Sequence, residues 1–266
     1  MERDKGLKVI FLLLILFSLF IFYNYYFNKP SSQESVNSQG DSSEKVVVKP
    51  KIALIFGGVG GSLKELKQVS SLNIPLTVSV IPGLRFSKNI AYISQRCGFS
   101  VLIQLPWEEI ISNVNSGGKY PFTGDFLFRK KIGRLLRYYL NYVRIARGVV
   151  SCVFLKEEFI EDVLRMIKQK NWVFISCPLP SSALFYKIAR KIGLSYECYE
   201  QQIFVPPYEE DTVRKEVDEM IKRAVAKGKI IVVVPPEERI IEVLRQRLVS
   251  LKEKVNFLTI TDYFSH

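Results

Sequence analysis

Residues 205–238, VPPYEEDTVRKEVDEMIKRAVAKGKIIVVVPPEE, contain one complete helix–turn–strand unit. In its first half, apolar residues recur at helical spacing, at Val213, Val217, Met220, Ile221 and Ala224. This spacing predicts an amphipathic helix with one apolar face. Gly228 follows, as a glycine commonly does at the carboxyl end of a helix. Residues 230–234 are apolar throughout, which is typical of a parallel strand covered on both faces. The stretch therefore predicts an α/β fold.

The same alternation runs from residue 50 to the end of the chain. Short β-branched or apolar runs predict strands at residues 52–56, 76–81, 101–105, 149–154, 173–176, 203–205, 230–234 and 257–260. Helical faces are expected around Ile160, Val163, Leu164 and Ile167, and around Ile240, Ile241, Leu244, Leu248 and Leu251. Further glycines that should end helices are Gly98, Gly148 and Gly193. About seven such units indicate a parallel sheet, either open and doubly wound or closed into an irregular barrel. In both, ligands bind at the carboxyl ends of the strands.

Composition sets the broad limits on function. The chain has 266 residues, a formal net charge of +12, four cysteines and one histidine, which is the terminal His266. A strongly basic surface attracts nucleic acid, anionic lipid or acidic glycan. The cysteines show no CxxC spacing and are too few for a disulfide-built scaffold. We therefore expect them to be mostly small buried side chains.

The first fifty residues differ from the rest. Residues 9–23, VIFLLLILFSLFIFY, continue weakly to Phe27 and are long enough to cross a membrane as a helix. The following YNYYFNKP offers no small-residue cleavage site, which favours an uncleaved signal anchor at residues 9–27 over a cleaved signal peptide. Positive charge at Arg3, Lys5 and Lys8 keeps residues 1–8 cytoplasmic. Residues 28–49, rich in Ser, Gln and Asn, predict a flexible linker.

This arrangement predicts a single-pass protein of a bacterial cytoplasmic membrane, with residues 50–266 facing the periplasm or exterior. Nucleic acid is then an unfavourable partner because the domain lies outside the cytoplasm. The membrane itself, an envelope glycan such as peptidoglycan, and an envelope protein are the expected partners.

Five stretches carry a resemblance to a known family. They are KIALIFGGVGGS from residue 51, NIPLTVSVIPGLRFSKNIA from residue 73, GFSVLIQLPWE from residue 98, SGGKYPFTG from residue 116, and residues 205–238. Their order resembles the divergent polysaccharide deacetylase family. The resemblance implies a distorted parallel (β/α)7-type barrel over residues 50–266. It also implies an ancestral removal of acetyl groups from sugars, assisted by a divalent metal such as zinc.

Applied position by position, the resemblance implies that the family's catalytic residues are replaced by other residue types in this chain. Two aspartates after the first strand correspond to Gly57 and Gly58, and a histidine before Leu-Pro corresponds to Gln104. A histidine on the fourth strand corresponds to Cys152, and an Asp-Ser pair on the fifth to Ser176 and Cys177. A late Gly-His-Pro corresponds to Val234, Pro235 and Pro236. The family's glutamate after Leu-Pro is kept, as Glu108.

These replacements have chemical consequences. Zinc in a hydrolase needs three carboxylate, imidazole or thiolate ligands and a position for water. Glycine and proline side chains supply no donor atom, and glutamine is a poor neutral ligand for zinc. No imidazole other than that of His266 exists to move a proton. We therefore expect no catalytic residues, no metal site and no cofactor.

Other roles for the same positions stay open. Gln104, Trp107, Glu108 and Tyr120 could bind a ligand, with the two aromatic rings stacking on sugars, although ordinary packing explains the rings equally well. Cys152 and Cys177 could form a disulfide if their strands are neighbours. A soft-metal site that adds Gln104 and Glu108 to the two cysteines is a weaker alternative.

Residues 126–156 hold eight Lys or Arg and no acid. On a helix, Lys130, Arg134, Arg137 and Arg144 would share one face, opposite Ile132, Leu135, Tyr139 and Val143. Such a basic face is usually only solvated. Its alternative role is contact with phospholipid headgroups or acidic envelope polymers.

Together these features predict a membrane-anchored, inactive protein in the carbohydrate metabolism of the envelope, which binds glycan or serves as a scaffold for a protein partner. The alternative is an active carbohydrate deacetylase or other hydrolase with a non-standard site. A purely structural envelope component that binds no sugar is the third interpretation.

Overall fold

The computed structural model describes residues 49–107, 110, 126–152, 157–178, 182–202 and 209–265. The strands are β1 (Lys51–Val59), β2 (Thr77–Val80), β3 (Ser100–Gln104), β4 (Gly148–Ser151), β5 (Val173–Ser176), β6 (Tyr196–Cys198), β7 (Gln201–Gln202), β8 (Lys229–Val234) and β9 (Asn256–Leu258). The helices are α1 (Leu63–Ser70), α2 (Ser87–Arg96), α3 (Phe126–Tyr142), α4 (Glu157–Gln169), α5 (Ser182–Ile192), α6 (Glu210–Lys227), α7 (Glu238–Lys254) and α8 (Ile260–Ser265).

The strands form a nearly closed parallel barrel. Their order is β6-β5-β4-β3-β2-β1-β8-β7, and β9 adds to the beginning of β1. The two ends of this order, β6 and β7, are successive segments of one stretch of chain. Between them the Tyr199 N–H donates to the Ser176 carbonyl (3.0 Å), and the Glu200 N–H donates to the Ile231 carbonyl (3.0 Å). Residues 196–202, the closing stretch, therefore bridge β5 to β8 as a seventh barrel strand. This closure decides between the open and the closed architectures that the sequence predicts.

Alternation along each strand separates two cores. Outward-facing residues such as Ile52, Phe56 and Val232 pack against the helices in the larger apolar cluster. Inward-facing residues fill the barrel in a smaller cluster made of Ala53, Ile55, Leu102, Val150, Ile175, Cys177, Tyr199, Ile231, Ile260 and Tyr263. Period-two alternation produces this division, and burial on both faces explains why the strands read as continuous apolar runs.

Helix α8 closes the barrel at the amino ends of the strands. The Ile260 N–H donates to Thr77 Oγ1 (2.8 Å), and the Ser100 and Thr261 hydroxyls share a hydrogen bond (2.8 Å). Tyr263 packs into the inner cluster beneath the Lys229 ammonium, which lies 4.7 Å from the ring centroid. With this end covered, the carboxyl ends of the strands form the mouth.

The predicted helical faces are confirmed, with Ile160, Val163, Leu164 and Ile167 all buried on α4. The helix-ending role is confirmed for Gly98, Gly193 and Gly228, whose φ angles are +79°, +67° and +77°. It is wrong for Gly148, which is the first residue of β4. A Cβ there would lie 2.5 Å from the Val173 carbonyl oxygen, so this glycine permits close strand packing.

Some predictions lie outside the described residues. These are the anchor at 9–27, most of the linker at 28–49, the strand at 203–205, Glu108, Tyr120 and His266. In the part of the chain that the structure describes, no helix combines the length and apolar character needed to cross a membrane. The stretch 196–202 was not predicted as a strand because its sequence, YECYEQQ, has no apolar run.

Candidate ligand site at the barrel mouth

The mouth is a cavity of about 490 Å³ at the carboxyl ends of the strands. Its lining includes Gln104 from the end of β3, Ser151 from the end of β4 and Cys152 just after it, Tyr199 from the closing stretch, and Val233 from β8. The structure therefore brings together several of the positions that the sequence singled out, and it adds Tyr199.

Gln104 is fixed by the backbone of the glycine pair. Its Oε1 accepts a hydrogen bond from the Gly58 N–H at 2.7 Å. A Cβ on Gly57 would lie 3.2 Å from the same oxygen and 3.2 Å from Val233 Cγ1, so Gly57 leaves the room that Gln104 occupies. Gly58 has a φ of +79°, a conformation that glycine adopts without steric cost. Within the described residues the Gln104 amide nitrogen donates no hydrogen bond, so two N–H groups remain for a ligand.

Trp107 lines the cavity but is only 7% exposed. Its indole N–H donates to the Ser151 hydroxyl. The ring also belongs to the larger apolar core. This placement supports packing over stacking on a sugar for Trp107.

Cys152 and Cys177 follow the last paired residues of neighbouring strands, since Ser151 lies opposite Ser176 in the β4–β5 register. Both are free thiols, with Cys152 exposed and Cys177 buried. The Tyr199 hydroxyl lies 3.1 Å from Cys152 Sγ. Hydrogen bonding from the Cys177 side chain lowers the pKa of Cys152 to about 7, against an opposing effect of burial, and Tyr199 adds to the lowering. The same hydrogen bond, with burial, raises the pKa of Cys177, and burial raises the pKa of Tyr199.

The expectation that the cysteines are mostly buried is wrong for three of the four. Cys97 and Cys152 are exposed and Cys198 is half-buried. Cys97 follows the end of α2, while Cys152 follows the end of β4. Both residues lie just beyond the end of a helix or strand, and their side chains are therefore not covered by a neighbouring element.

Ser176 and Pro235 do not line the cavity. The Ser176 hydroxyl is 2.7 Å from the Tyr196 hydroxyl, which also donates to the Ser182 carbonyl on the helix side of the sheet. Burial raises the pKa of Tyr196 to about 12, so this phenol stays protonated at neutral pH. Pro235 follows the end of β8 and brings neither a donor nor a titratable group.

The described mouth residues do not fit a hydrolytic zinc ion. They supply one exposed thiol, with the buried Cys177 thiol behind it, and one neutral amide, whose oxygen already accepts the Gly58 N–H. In the described ranges no three His, Cys, Asp or Glu side chains are grouped to hold a metal ion. A catalytic zinc takes three protein ligands and leaves one position for water, which this donor set does not provide.

The basic face lies on the outer side of α3. Lys130, Arg134 and Arg137 are exposed there, while Ile132, Leu136 and Tyr139 are buried. Arg144 was predicted on the same helix, but α3 ends at Tyr142 and Arg144 is exposed on the following turn. Arg144 still joins Lys88, Arg137 and Tyr138 around an open cleft of about 650 Å³.

Comparison with solved structures shows the fold. An uncharacterized protein from Agrobacterium tumefaciens C58 matches with a TM-score of 0.64 and 16% identity, over 83% of this chain and 92% of that one. The catalytic domain of a peptidoglycan N-acetylglucosamine deacetylase from Eubacterium rectale ATCC 33656 matches with a TM-score of 0.50 and 13% identity, over 84% and 93%. No curated protein matches the sequence.

The family model for divergent polysaccharide deacetylases matches residues 54–264. This span covers almost all of the barrel, from the second half of β1 to α8. It includes every position at which the resemblance places a replaced catalytic residue. The chain belongs to the divergent polysaccharide deacetylase family.

Proposed function

We propose that this chain is a membrane-anchored envelope protein without hydrolytic activity that binds a neutral sugar unit of an envelope glycan, such as peptidoglycan, at the barrel mouth. One observation carries the proposal. The mouth contains a cavity of about 490 Å³, and the polar side chains of its described lining include an amide, two hydroxyls and one thiol but no carboxylate or imidazole.

The lining favours a sugar as the ligand. Ligand cavities are commonly about 300–1,000 Å³ and combine apolar walls with a few placed polar groups. Here Ile81 and Val233 supply apolar wall, and the Gln104 amide N–H groups and the Tyr199 hydroxyl supply polar contacts. Sugar hydroxyls pair with such neutral groups without the desolvation cost that a charged ligand would carry.

The same lining argues against hydrolysis. An attacking water needs a base or a metal-bound position within hydrogen-bond reach. In the described lining of the cavity, the group with a pKa near 7 is the Cys152 thiol, and no imidazole accompanies it there. A deacetylase with a non-standard site remains the competing function.

The location and the further partners extend the proposal. The apolar run at residues 9–27 supports a single-pass anchor in a bacterial cytoplasmic membrane, with the barrel outside the cytoplasm. Next to that membrane, the basic face of α3 would meet anionic headgroups or acidic polymers. An envelope protein that docks on the barrel is the other proposed partner.

Binding of N-acetylglucosamine oligomers to the detergent-solubilised full chain tests the proposal. Gln104→Ala should weaken binding about tenfold, since each lost hydrogen bond contributes roughly 0.5–1.5 kcal/mol. Gln95→Ala is the matched control because Gln95 is exposed on α2, away from the cavity. Titration calorimetry gives both affinities, and thermal unfolding shows whether Gln104→Ala stays folded.

Two results would overturn the proposal. Equal affinity for wild type and a folded Gln104→Ala would place any sugar site elsewhere. Acetate release from an acetylated glycan by the purified chain, with stoichiometric zinc or nickel and loss of turnover on chelation, would establish the competing deacetylase.

A further inference from the structure

Two thiols meet at the mouth in an arrangement that sugar binding does not use. Cys152 is exposed to the cavity and Cys177 is buried behind it. Parallel strands lie about 4.8 Å apart. Residues that follow opposed positions on neighbouring strands therefore have Cα atoms within the 4.4–6.8 Å that a disulfide usually spans.

The surroundings orient the pair. The Cys177 N–H donates to the Ser151 carbonyl at 3.4 Å, which continues the β4–β5 ladder past its last paired residues. The Tyr199 hydroxyl lies 3.1 Å from Cys152 Sγ, and the Cys177 side chain is a second hydrogen-bond partner of that sulfur. The exposed sulfur thus has a thiol and a phenol beside it, both of which can donate to a thiolate.

Cys198 is excluded from the pair by strand alternation. It precedes Tyr199, so the two side chains lie on opposite faces of the closing stretch. Cys198 Sγ lies 3.8 Å from the Ser182 hydroxyl on the helix side. Cys97 follows α2 and is not part of the mouth.

We propose that Cys152 and Cys177 form a thiol–disulfide exchange site in which Cys152 attacks an exposed disulfide of a small molecule or protein and Cys177 resolves the product. In the first step the Cys152 thiolate forms a bond to one sulfur of the incoming disulfide, and the other sulfur leaves as a thiolate. In the second, the Cys177 sulfur attacks Cys152 Sγ, and the first sulfur leaves. The Cys177 proton passes to a departing thiolate. One disulfide is reduced to two thiols, and the two cysteines are oxidised to one disulfide.

The acid–base state of the pair suits these steps. With a pKa near 7, Cys152 is about half ionised at pH 7, roughly 15-fold more than a thiol with the ordinary pKa of about 8.5. A thiolate of lower pKa is intrinsically less nucleophilic, which reduces the net gain in rate to about threefold. Cys177 has a raised pKa and keeps its proton until its turn to attack.

Oxidised glutathione is the probe for the reduced full chain in detergent. Wild type should lose two of its four thiols and form a disulfide that peptide mass analysis maps to Cys152 and Cys177. Cys177→Ser should stop at a glutathione adduct on Cys152, because the resolving thiol is absent. Cys152→Ser should leave Cys177 unmodified, because Cys177 is buried. Cys97→Ser should react as wild type does.

The pH dependence provides a second measurement. Alkylation of Cys152 by iodoacetamide should be half-maximal near pH 7 and decline as the pH falls, because the thiolate is the reactive form. Tyr199→Phe removes one donor and should move the half-maximal pH upward.

Three results would refute the exchange site. The first is that folded wild type still has four free thiols after treatment with oxidised glutathione. The second is that the glutathione adduct in Cys177→Ser forms only on Cys97 or Cys198. Stoichiometric zinc uptake that protects both thiols from glutathione would instead establish a metal site. None of these results depends on whether the mouth binds sugar.

Discussion

At the scale of single residues, the glycine pair after β1 determines what the mouth can hold. Gly57 makes room for the Gln104 amide, and the Gly58 N–H fixes that amide by a 2.7 Å hydrogen bond. Where the resemblance to the family places two aspartates, this backbone therefore has a glutamine oxygen from β3 as its hydrogen-bond partner. The sequence drew attention to these positions but did not predict the hydrogen bond. A hydrogen bond between a side-chain amide and a distant backbone N–H produces no recognisable sequence pattern.

Gly57→Ala should lower the free energy of unfolding by about 1–3 kcal/mol. The added Cβ would lie 3.2 Å from both Gln104 Oε1 and Val233 Cγ1, and overpacking of this kind costs that amount. Gly61→Ala is the matched control, because its Cβ would meet only Glu65 Oε1 at an ordinary 3.7 Å. Urea denaturation measures both variants. A Gly57→Ala protein as stable as the Gly61→Ala protein would mean that the mouth is looser than described.

At the scale of elements, strand β2 places a hydroxyl group without a described hydrogen-bond partner inside the barrel, and this lowers stability. All four of its residues are buried, and within the described residues Ser79 Oγ has no hydrogen-bond partner. A buried hydroxyl without a partner costs about 1–3 kcal/mol. The sequence TVSV predicts a strand here, but it does not show that the Ser79 hydroxyl lacks a partner, since that depends on β1 and β3 beside it.

Ser79→Ala should raise the free energy of unfolding by up to about 1 kcal/mol, because removing the orphan hydroxyl gains more than the small void costs. Ser87→Ala is a matched comparison. Its hydroxyl is equally buried but donates to the Ile81 carbonyl at 2.6 Å, so its loss should lower stability by about 1 kcal/mol. Opposite shifts in the denaturant midpoint are expected. Destabilisation of similar size in both variants would mean that Ser79 has a partner in solution.

The closing stretch is the part of the barrel that could not be predicted from the sequence. The other strands of the barrel could be predicted, because burial on both faces makes their sequences apolar. Residues 196–202 are short, split by Tyr199 and Glu200, and carry polar side chains. Their place in the barrel comes from backbone hydrogen bonds to β5 and β8. Tyr199, the mouth residue that sequence reasoning missed, lies on this stretch.

At the scale of the whole molecule, the charge of +12 is distributed so that part of it frames a cleft. Lys88, Arg137 and Arg144 surround about 650 Å³ of open space beside Tyr138 and Asn141. The sequence predicted the exposed charges of α3 because apolar and basic residues alternate with helical period. It did not predict that Lys88, on another helix, would join them, since that requires the packing of α2 beside α3.

The double substitution Arg134→Glu and Arg137→Glu should weaken binding of the compact unit of residues 47–266 to anionic phospholipid vesicles at least about 30-fold in low salt, because it removes two positive charges and adds two negative ones. Each basic residue near such a surface contributes about 1 kcal/mol. Lys187→Glu with Arg190→Glu is the matched control, because it makes the same charge change at exposed positions on α5. The difference between the two double variants should shrink as salt rises, since screening shortens the reach of surface charge. Equal weakening by both would mean that net charge alone attracts the domain to the membrane, whereas a loss confined to α3 means that the barrel approaches the bilayer by that face.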